Sequence, residues 1–198
     1  IIGIAFILML FKQKQVKYSG ECLLGFGLLF LGLGVLKDSL NGLDLANNPH
    51  FIEAIRSLVI DGSISYSAIL LSVLIGTVIT IILQSSSAMM AITMVLCYEN
   101  VIPFEMAVAL VLGENIGTTF TANIAASIGN IQAKKTARSH LIFNTVGAVW
   151  VLVFFRLIIS LVDKITLNIE GQSPFVEAAT IPFALALFHS LFNISNTF

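Results

Sequence analysis

Residues 83–90 read LQSSSAMM. The stretch around them, Tyr66 to Tyr98, contains no Asp, Glu, Lys or Arg and is mostly Ile, Leu, Val, Ala and Met. Gln84, Ser85, Ser86 and Ser87, four hydrogen-bonding side chains in a row, thus stand at the centre of an apolar run. As a single helix these 33 residues would extend about 50 Å, too long for a bilayer core of about 30 Å. As two arms meeting near Gln84, each would be roughly 24 Å, slightly short of a span. That favours a helical hairpin that dips into the membrane and returns to its own side.

Composition identifies the solvent. The chain is 57% hydrophobic and 11% charged, with a mean hydropathy of +0.98, whereas soluble domains carry about 25% charged residues. This is the composition of an integral membrane protein. The net charge of −1 implies no nucleic acid or other polyanion as partner. Cys22 and Cys97 lie in apolar segments without CxxC or metal-ligand spacing and read as buried small hydrophobes. The chain begins at Ile1 and stops at Phe198 inside an apolar stretch, so it is expected to be a piece of something longer.

The other apolar runs are 1–11, 20–36, 104–128, 139–162 and a last one from about 178, with a polar stretch at 37–65 that holds Lys37, Asp38, Asp44, Glu53, Arg56 and Asp61. Arg156 is the only charge in 139–162, and its long stem can snorkel or pair. Lys12, Lys14 and Lys17 cluster in one loop and Lys134, Lys135 and Arg138 in another, while 163–177 carries Asp163, Glu170 and Glu177 against Lys164. The positive-inside rule puts both basic loops, 12–17 and 134–138, in the cytoplasm, with the chain in the plasma (inner) membrane. Both loops share that side only if 66–98 makes an even number of crossings. Hairpin and parity agree.

Irregular backbone at membrane depth needs protein or a watery cavity around it. A hairpin tip at 84–87 frees backbone groups there, and Gln84 and the serines can satisfy them or offer oxygens to a ligand. The plainer alternative is that the serines bond to their own helix. A second polar island, GENIGTTFT at 113–121, sits inside 104–128. Gly113 and Gly117 permit an unwound turn, with Asn115, Thr118, Thr119 and Thr121 beside the freed backbone; broken helices of this kind build transporter sites. The alternative is a Gly/Thr helix–helix contact. The expected fold is therefore an all-α polytopic membrane protein with a re-entrant hairpin at 66–98 and a helix broken near 113–121.

QSSSA in an apolar hairpin, followed by G-x-N-I-G-T-T-x-T-A, resembles the type II sodium/phosphate cotransporters and their bacterial relatives. The resemblance implies two inverted repeats, each with a QSSS hairpin and a following broken helix. It makes 1–198 a single transmembrane domain fragment, with 20–128 as the second repeat, 139–198 as the helices after it, and the first repeat missing upstream. It further implies sodium-coupled import of inorganic phosphate by alternating access, with sodium as co-substrate and no other cofactor. Substrate and sodium would bind at Gln84, Ser85, Ser86, Ser87, Asn115, Thr118, Thr119 and Thr121, with sodium held through Gln84, Ser85 and Thr118. Glu114 departs from the family's usual Ala or Ser. It stands as a possible modulator that alters sodium stoichiometry, permits proton coupling or contacts another helix. Another small anion or proton coupling remains the alternative. A homologous repeat, or a second copy in opposed orientation, is expected to complete the site.

Two other classes stay in view. An intramembrane serine hydrolase would use Ser85, Ser86 or Ser87 with His140 or His189, yet the chain has no GxSxG elbow. A structural membrane subunit would carry nothing. His140-Leu-Ile-Phe143-Asn144 recurs as His189-Ser-Leu-Phe192-Asn193 and suggests equivalent packing, with both asparagines bonding across helices. Asn193-Ile-Ser195 fits a glycosylation sequon that the membrane would shield. His50 lies in the polar stretch and reads as a solvated side chain.

Overall fold

The apolar runs fold as helices, because only helices and closed barrels satisfy their own backbone in lipid. The structure, a computed structural model, describes residues 1–60 and 63–197, the side chains at 40, 41, 46, 56, 59, 60 and 63 excepted. Asp61 and the Arg56 side chain lie outside the described residues. Helices α1 (Ile2–Met9) and α2 (Lys14–Gly42) form one compact unit, and everything from Leu45 onward forms a second. In the first unit, Gly20 packs on Ala5 and Met9 while Gly27 packs on Ile2, so the two helices run antiparallel. Phe26, Leu28, Leu29 and Phe30 are exposed on α2, as a lipid-facing surface requires. Cys22 is exposed there too, against the expectation that it is buried; Cys97 is buried as expected.

The second unit opens with α3 (Pro49–Ser57), whose start is capped by Asn48 Oδ1 accepting from the His50 and Phe51 N–H groups at 3.0 and 3.3 Å. A short antiparallel ladder, β1 (Val59–Ile60) with β2 (Ser63–Ile64), leads into α4 (Tyr66–Leu83). Then follow α5 (Ser86–Tyr98), α6 (Phe104–Ala126), α7 (Ile131–Val153), α8 (Phe155–Glu170) and α9 (Ile181–Thr197). Among the described residues three helices are long and apolar enough to cross a membrane, or four if the bent pair α7–α8 counts as one. The chain is an all-α integral membrane protein.

Two expectations fail here. The run 139–162 is not one span, and 163–177 is not all loop: α7 starts at Ile131, turns by 83° at Phe154 and continues as α8 to Glu170. Arg156, Ser160 and Asp163 recur at i, i+4 and i+7 and form a polar stripe along α8, which a count of apolar residues hides. That stripe borders a cavity of about 220 Å³ shared with Ile64 and Glu105. Arg156 pairs rather than snorkels: its guanidinium donates to Ile64 O at 2.6 Å and lies 5.8 Å from the Tyr66 ring centre. Neither Asn144 nor Asn193 bonds across helices. Each donates to the carbonyl four residues back, His140 O at 3.2 Å and His189 O at 2.8 Å, so the repeated sequence repeats one local bond. The cross-helix contact between α7 and α9 comes instead from Asn196, which donates to Phe143 O at 3.4 Å and packs over Gly147.

Candidate functional site at the hairpin tip

Helix α4 is nucleated by Ser65, whose Oγ accepts from Ala68 N–H at 3.3 Å. It stops at Gln84, a non-glycine residue in the left-handed region with φ 54° and ψ 25°, whose N–H still donates to Thr80 O at 2.8 Å. Ser85 is extended (φ −147°, ψ 110°) and caps α5, its Oγ accepting from Ala88 N–H at 3.2 Å. The Ser85 and Ser87 hydroxyls are 3.4 Å apart. Two residues therefore make the whole turn, and both of its walls are helix ends. The last carbonyls of α4 and the first N–H groups of α5 converge there without helical partners.

Helix α6 sits against α4 through glycines. A Cβ on Gly76 would strike the Leu110 backbone, one on Gly113 would strike Val73 O, and one on Gly117 would lie 2.7 Å from Thr77 O and from Thr80 Cβ. Thr77 Oγ1 adds a link, lying 2.8 Å from Val73 O and 3.0 Å from Gly113 O with one proton to share. Partners rise together along both helices, from Gly76 with Leu110 to Thr80 with Gly117, so α4 and α6 run parallel. A chain that ends α4 and enters α6 in the same direction must return through α5. At 13 residues, α5 is about 20 Å long and too short to cross a core of about 30 Å. Helices α4 and α5 thus form a helical hairpin within 66–98, of which α4 alone is long and apolar enough to cross.

The same register fixes depth. With Thr80 opposite Gly117, Gln84 comes level with Thr121, four residues further along each helix. Gln84 and Ser87 are exposed, and Ser85, Ser86, Thr118 and Thr121 are half-buried, so the tip and this end of α6 present open polar groups near one depth; Asn115, also half-buried, lies roughly 9 Å further along α6. Thr119 is fully buried and donates to Ile116 O at 2.6 Å.

The expected break at 113–121 is absent: α6 is continuous over 23 residues. The amide and hydroxyl side chains there donate to their own helix instead of replacing it: Asn115 to Val111 O, Thr118 to Glu114 O and Thr121 to Thr118 O, all at 2.8 Å. Gly113 and Gly117 are spent on close approach to α4 rather than on an unwound turn. The break in this fold lies at Phe154 instead. Sequence reasoning missed Thr77 and Thr80, which join Gly76 in gripping α6; the signal was Ser72, Gly76 and Thr80 at four-residue spacing, all buried.

Residues 62–188 match the Na+/Pi-cotransporter family. The chain belongs to that family. A Bacillus subtilis protein named "Uncharacterized protein YqeW" is 34% identical over 143 residues, covering 71% of this chain and 45% of its own length. The Escherichia coli "Putative inorganic phosphate export protein YjbB" is 32% identical over 166 residues, covering 84% of this chain and 29% of its own. The mouse "Sodium-dependent phosphate transport protein 2C" is 42% identical over 88 residues, covering 42% of this chain and 15% of its own. The chain thus spans less than half the length of these relatives. No solved structure matches it. Within the Na+/Pi-cotransporter family match fall the hairpin, α6, α7 and α8.

Proposed function

We propose that the intact protein is a secondary carrier that couples inorganic phosphate to sodium, with this chain supplying one wall of the site. The observation behind it is the hairpin tip, held level with Thr118 and Thr121 by the glycine-packed α4–α6 pair. A turn between two helix ends offers both signs of partial charge. The N–H groups opening α5, with Ser86 and Ser87, suit the phosphate oxygens. The last carbonyls of α4, with Gln84, Ser85 and Thr118, suit sodium. Asn115 and Thr121 line the α6 side, and Thr119 is left a packing role.

An inward sodium gradient drives phosphate inward, so import is the reading for a coupled carrier in the plasma membrane with 12–17 and 134–138 cytoplasmic, although these basic clusters stand at the starts of α2 and α7 and not in loops as expected. The name of the Escherichia coli relative favours a second reading, export. Counterflow in proteoliposomes holding the intact protein separates the two. Labelled phosphate should enter only with sodium outside; efflux from loaded vesicles without sodium dependence supports export, and no flux in either direction ends the carrier reading.

A further inference from the structure

Helix α8 turns by 83° from α7 and carries two unlike exposed flanks, Leu157 and Leu161 on one and Arg156, Ser160 and Lys164 on the other. A helix divided in this way suits the membrane surface, with its apolar flank toward the acyl chains. Arg156, Ser160 and Asp163 border the cavity of about 220 Å³, together with Glu105 in the first turn of α6. Buried apolar residues, Ile69 and Phe155 among them, line the rest. The volume exceeds what a lone ion or one bridging water needs.

The charges around this cavity are held apart. The Arg156 guanidinium spends one N–H on Ile64 O at 2.6 Å and lies against the Tyr66 ring; the rest of its donor fork has no partner among the described residues. Asp163 Oδ1 accepts from the Ser173 hydroxyl at 2.5 Å, and Ser173 Oγ in turn accepts from Phe175 N–H at 3.2 Å. The Phe175 ring meets Phe104 edge-on, centroids 5.3 Å apart, and Glu105 is the next residue. Asp163 and Glu105 therefore stand on the Phe175 side of the cavity. Arg156 stands on the Ile64 side, with Ser160 one turn along α8 from it. No ion pair joins Arg156 to either carboxyl among the described residues, although all three line one cavity. Seven residues separate Arg156 from Asp163, roughly 10 Å along the helix. The bonds to Ile64 O and Ser173 keep the two side chains from closing that gap.

An anion alone would meet two carboxylates there, and a cation alone would meet the guanidinium. A molecule bearing both charges satisfies each side. We propose that the cavity is a headgroup site for a phospholipid whose phosphate is joined by a short carbon link to a primary ammonium, the chemistry of phosphatidylethanolamine. The phosphate oxygens accept from Arg156 and Ser160, and the ammonium donates to Asp163 and Glu105. A lipid is the source because the Arg156 side of the cavity adjoins lipid-facing surface. Tyr66, beside Arg156, is exposed at the start of apolar α4, as interfacial aromatic residues are. Leu70 and Leu74, exposed one and two turns further on, suit the acyl chains. The bound headgroup ties α8 to the start of α6 and, through Arg156, to the entry of the hairpin. None of this rests on the carrier reading.

The test is native mass spectrometry of the intact protein, released from micelles holding equal amounts of phosphatidylethanolamine, phosphatidylcholine and phosphatidylglycerol. Phosphatidylcholine keeps the positive charge but has no N–H to donate, and phosphatidylglycerol has no positive charge. The wild type should retain phosphatidylethanolamine over either by roughly 10-fold or more, the scale of a hydrogen bond to a charged group. Asp163→Asn combined with Glu105→Gln should erase that preference, and Arg156→Gln should lower retention of phosphatidylethanolamine. Lys164→Gln, on α8 but outside the cavity, should keep the wild-type pattern. If the double variant does not insert, Asp163→Asn alone, which keeps an acceptor for Ser173, should weaken the preference. Equal retention of the three lipids by the wild type overturns the proposal, as does an unchanged preference in the carboxyl variants. A preference for phosphatidylglycerol marks a plain anion site, one for phosphatidylcholine an aromatic site for a quaternary ammonium, and either overturns it. The soluble headgroup, glycerophosphoethanolamine, should leave the unfolding temperature of delipidated protein unchanged where the lipid raises it. An equal rise with both assigns the cavity to a soluble zwitterion and overturns the lipid as its ligand.

Discussion

Gln84 holds a backbone conformation that costs an L-residue about 1–2 kcal/mol, and glycine would adopt it freely. A residue kept there despite the strain is kept for its side chain. Gln84→Gly should therefore leave thermal stability in detergent unchanged or slightly raised while lowering sodium and phosphate affinity; equal loss of both would point to a purely structural tip. Ser86→Ala and Thr118→Ala each remove a half-buried oxygen at the level of the tip. A hydrogen bond to a charged ligand contributes about 1.5–3 kcal/mol, so apparent affinity should fall roughly 10- to 150-fold. Ser72 is the control, because its buried hydroxyl donates to Ala68 O at 2.8 Å within its own helix. Uptake by Ser72→Ala should match the wild type, and equal losses at all three positions would sink the site assignment. At this scale the tip was legible from sequence, since four polar residues in a charge-free run have few other uses. The role of the α6 threonines was not: the sequence does not say whether a hydroxyl turns to its own carbonyl or to a ligand.

Among the elements, the α4–α6 pair carries the most consequence, because it sets the depth of the tip against α6. Its glycines are tested by adding one methyl. Gly113→Ala places a Cβ into Val73 O, a backbone atom that cannot step aside as a flexible side chain would. Overpacking of this kind costs about 1–3 kcal/mol. Gly113→Ala should lower the unfolding temperature and the uptake together. Gly25→Ala and Gly34→Ala, where a Cβ meets nothing within 4 Å, should leave both unchanged or raise the unfolding temperature slightly. If Gly113→Ala were silent, the close approach would not be what positions the site. Here the sequence misled in an instructive way. Gly113-x-x-x-Gly117 fits an unwound turn and a tight helix contact equally well, and only the partner helix decides between them. The break at Phe154 was hidden for a related reason: α8 is amphipathic, so its apolar residues continued the count begun in α7, and Arg156 looked like one stray charge within a span.

For the whole molecule, the open polar surface is the feature that demands explanation. Leu70, Leu74, Val78 and Ile82 are exposed along α4 and suit lipid, but Gln84 and Ser87, exposed at its end, do not. Each backbone group left unsatisfied in hydrocarbon costs several kcal/mol. The tip must therefore meet water or protein in the native assembly. An inverted-repeat carrier meets both needs, because its second repeat closes the cavity and rocking of one half against the other exposes it to either side. The hairpin was legible because a polar interruption at 84–87 halves an apolar run too long for one span; what closes over it was not, since an exposed polar surface does not specify its partner. This chain alone, inserted into liposomes, should accordingly bind little sodium or phosphate and carry none. Adding a homologous repeat, either fused upstream or as a second copy in opposed orientation, should restore sodium-dependent uptake, measured as labelled phosphate retained by the vesicles. A monodisperse, monomeric preparation of these 198 residues that carries phosphate at the rate of the intact protein would show that one hairpin and one unbroken helix suffice.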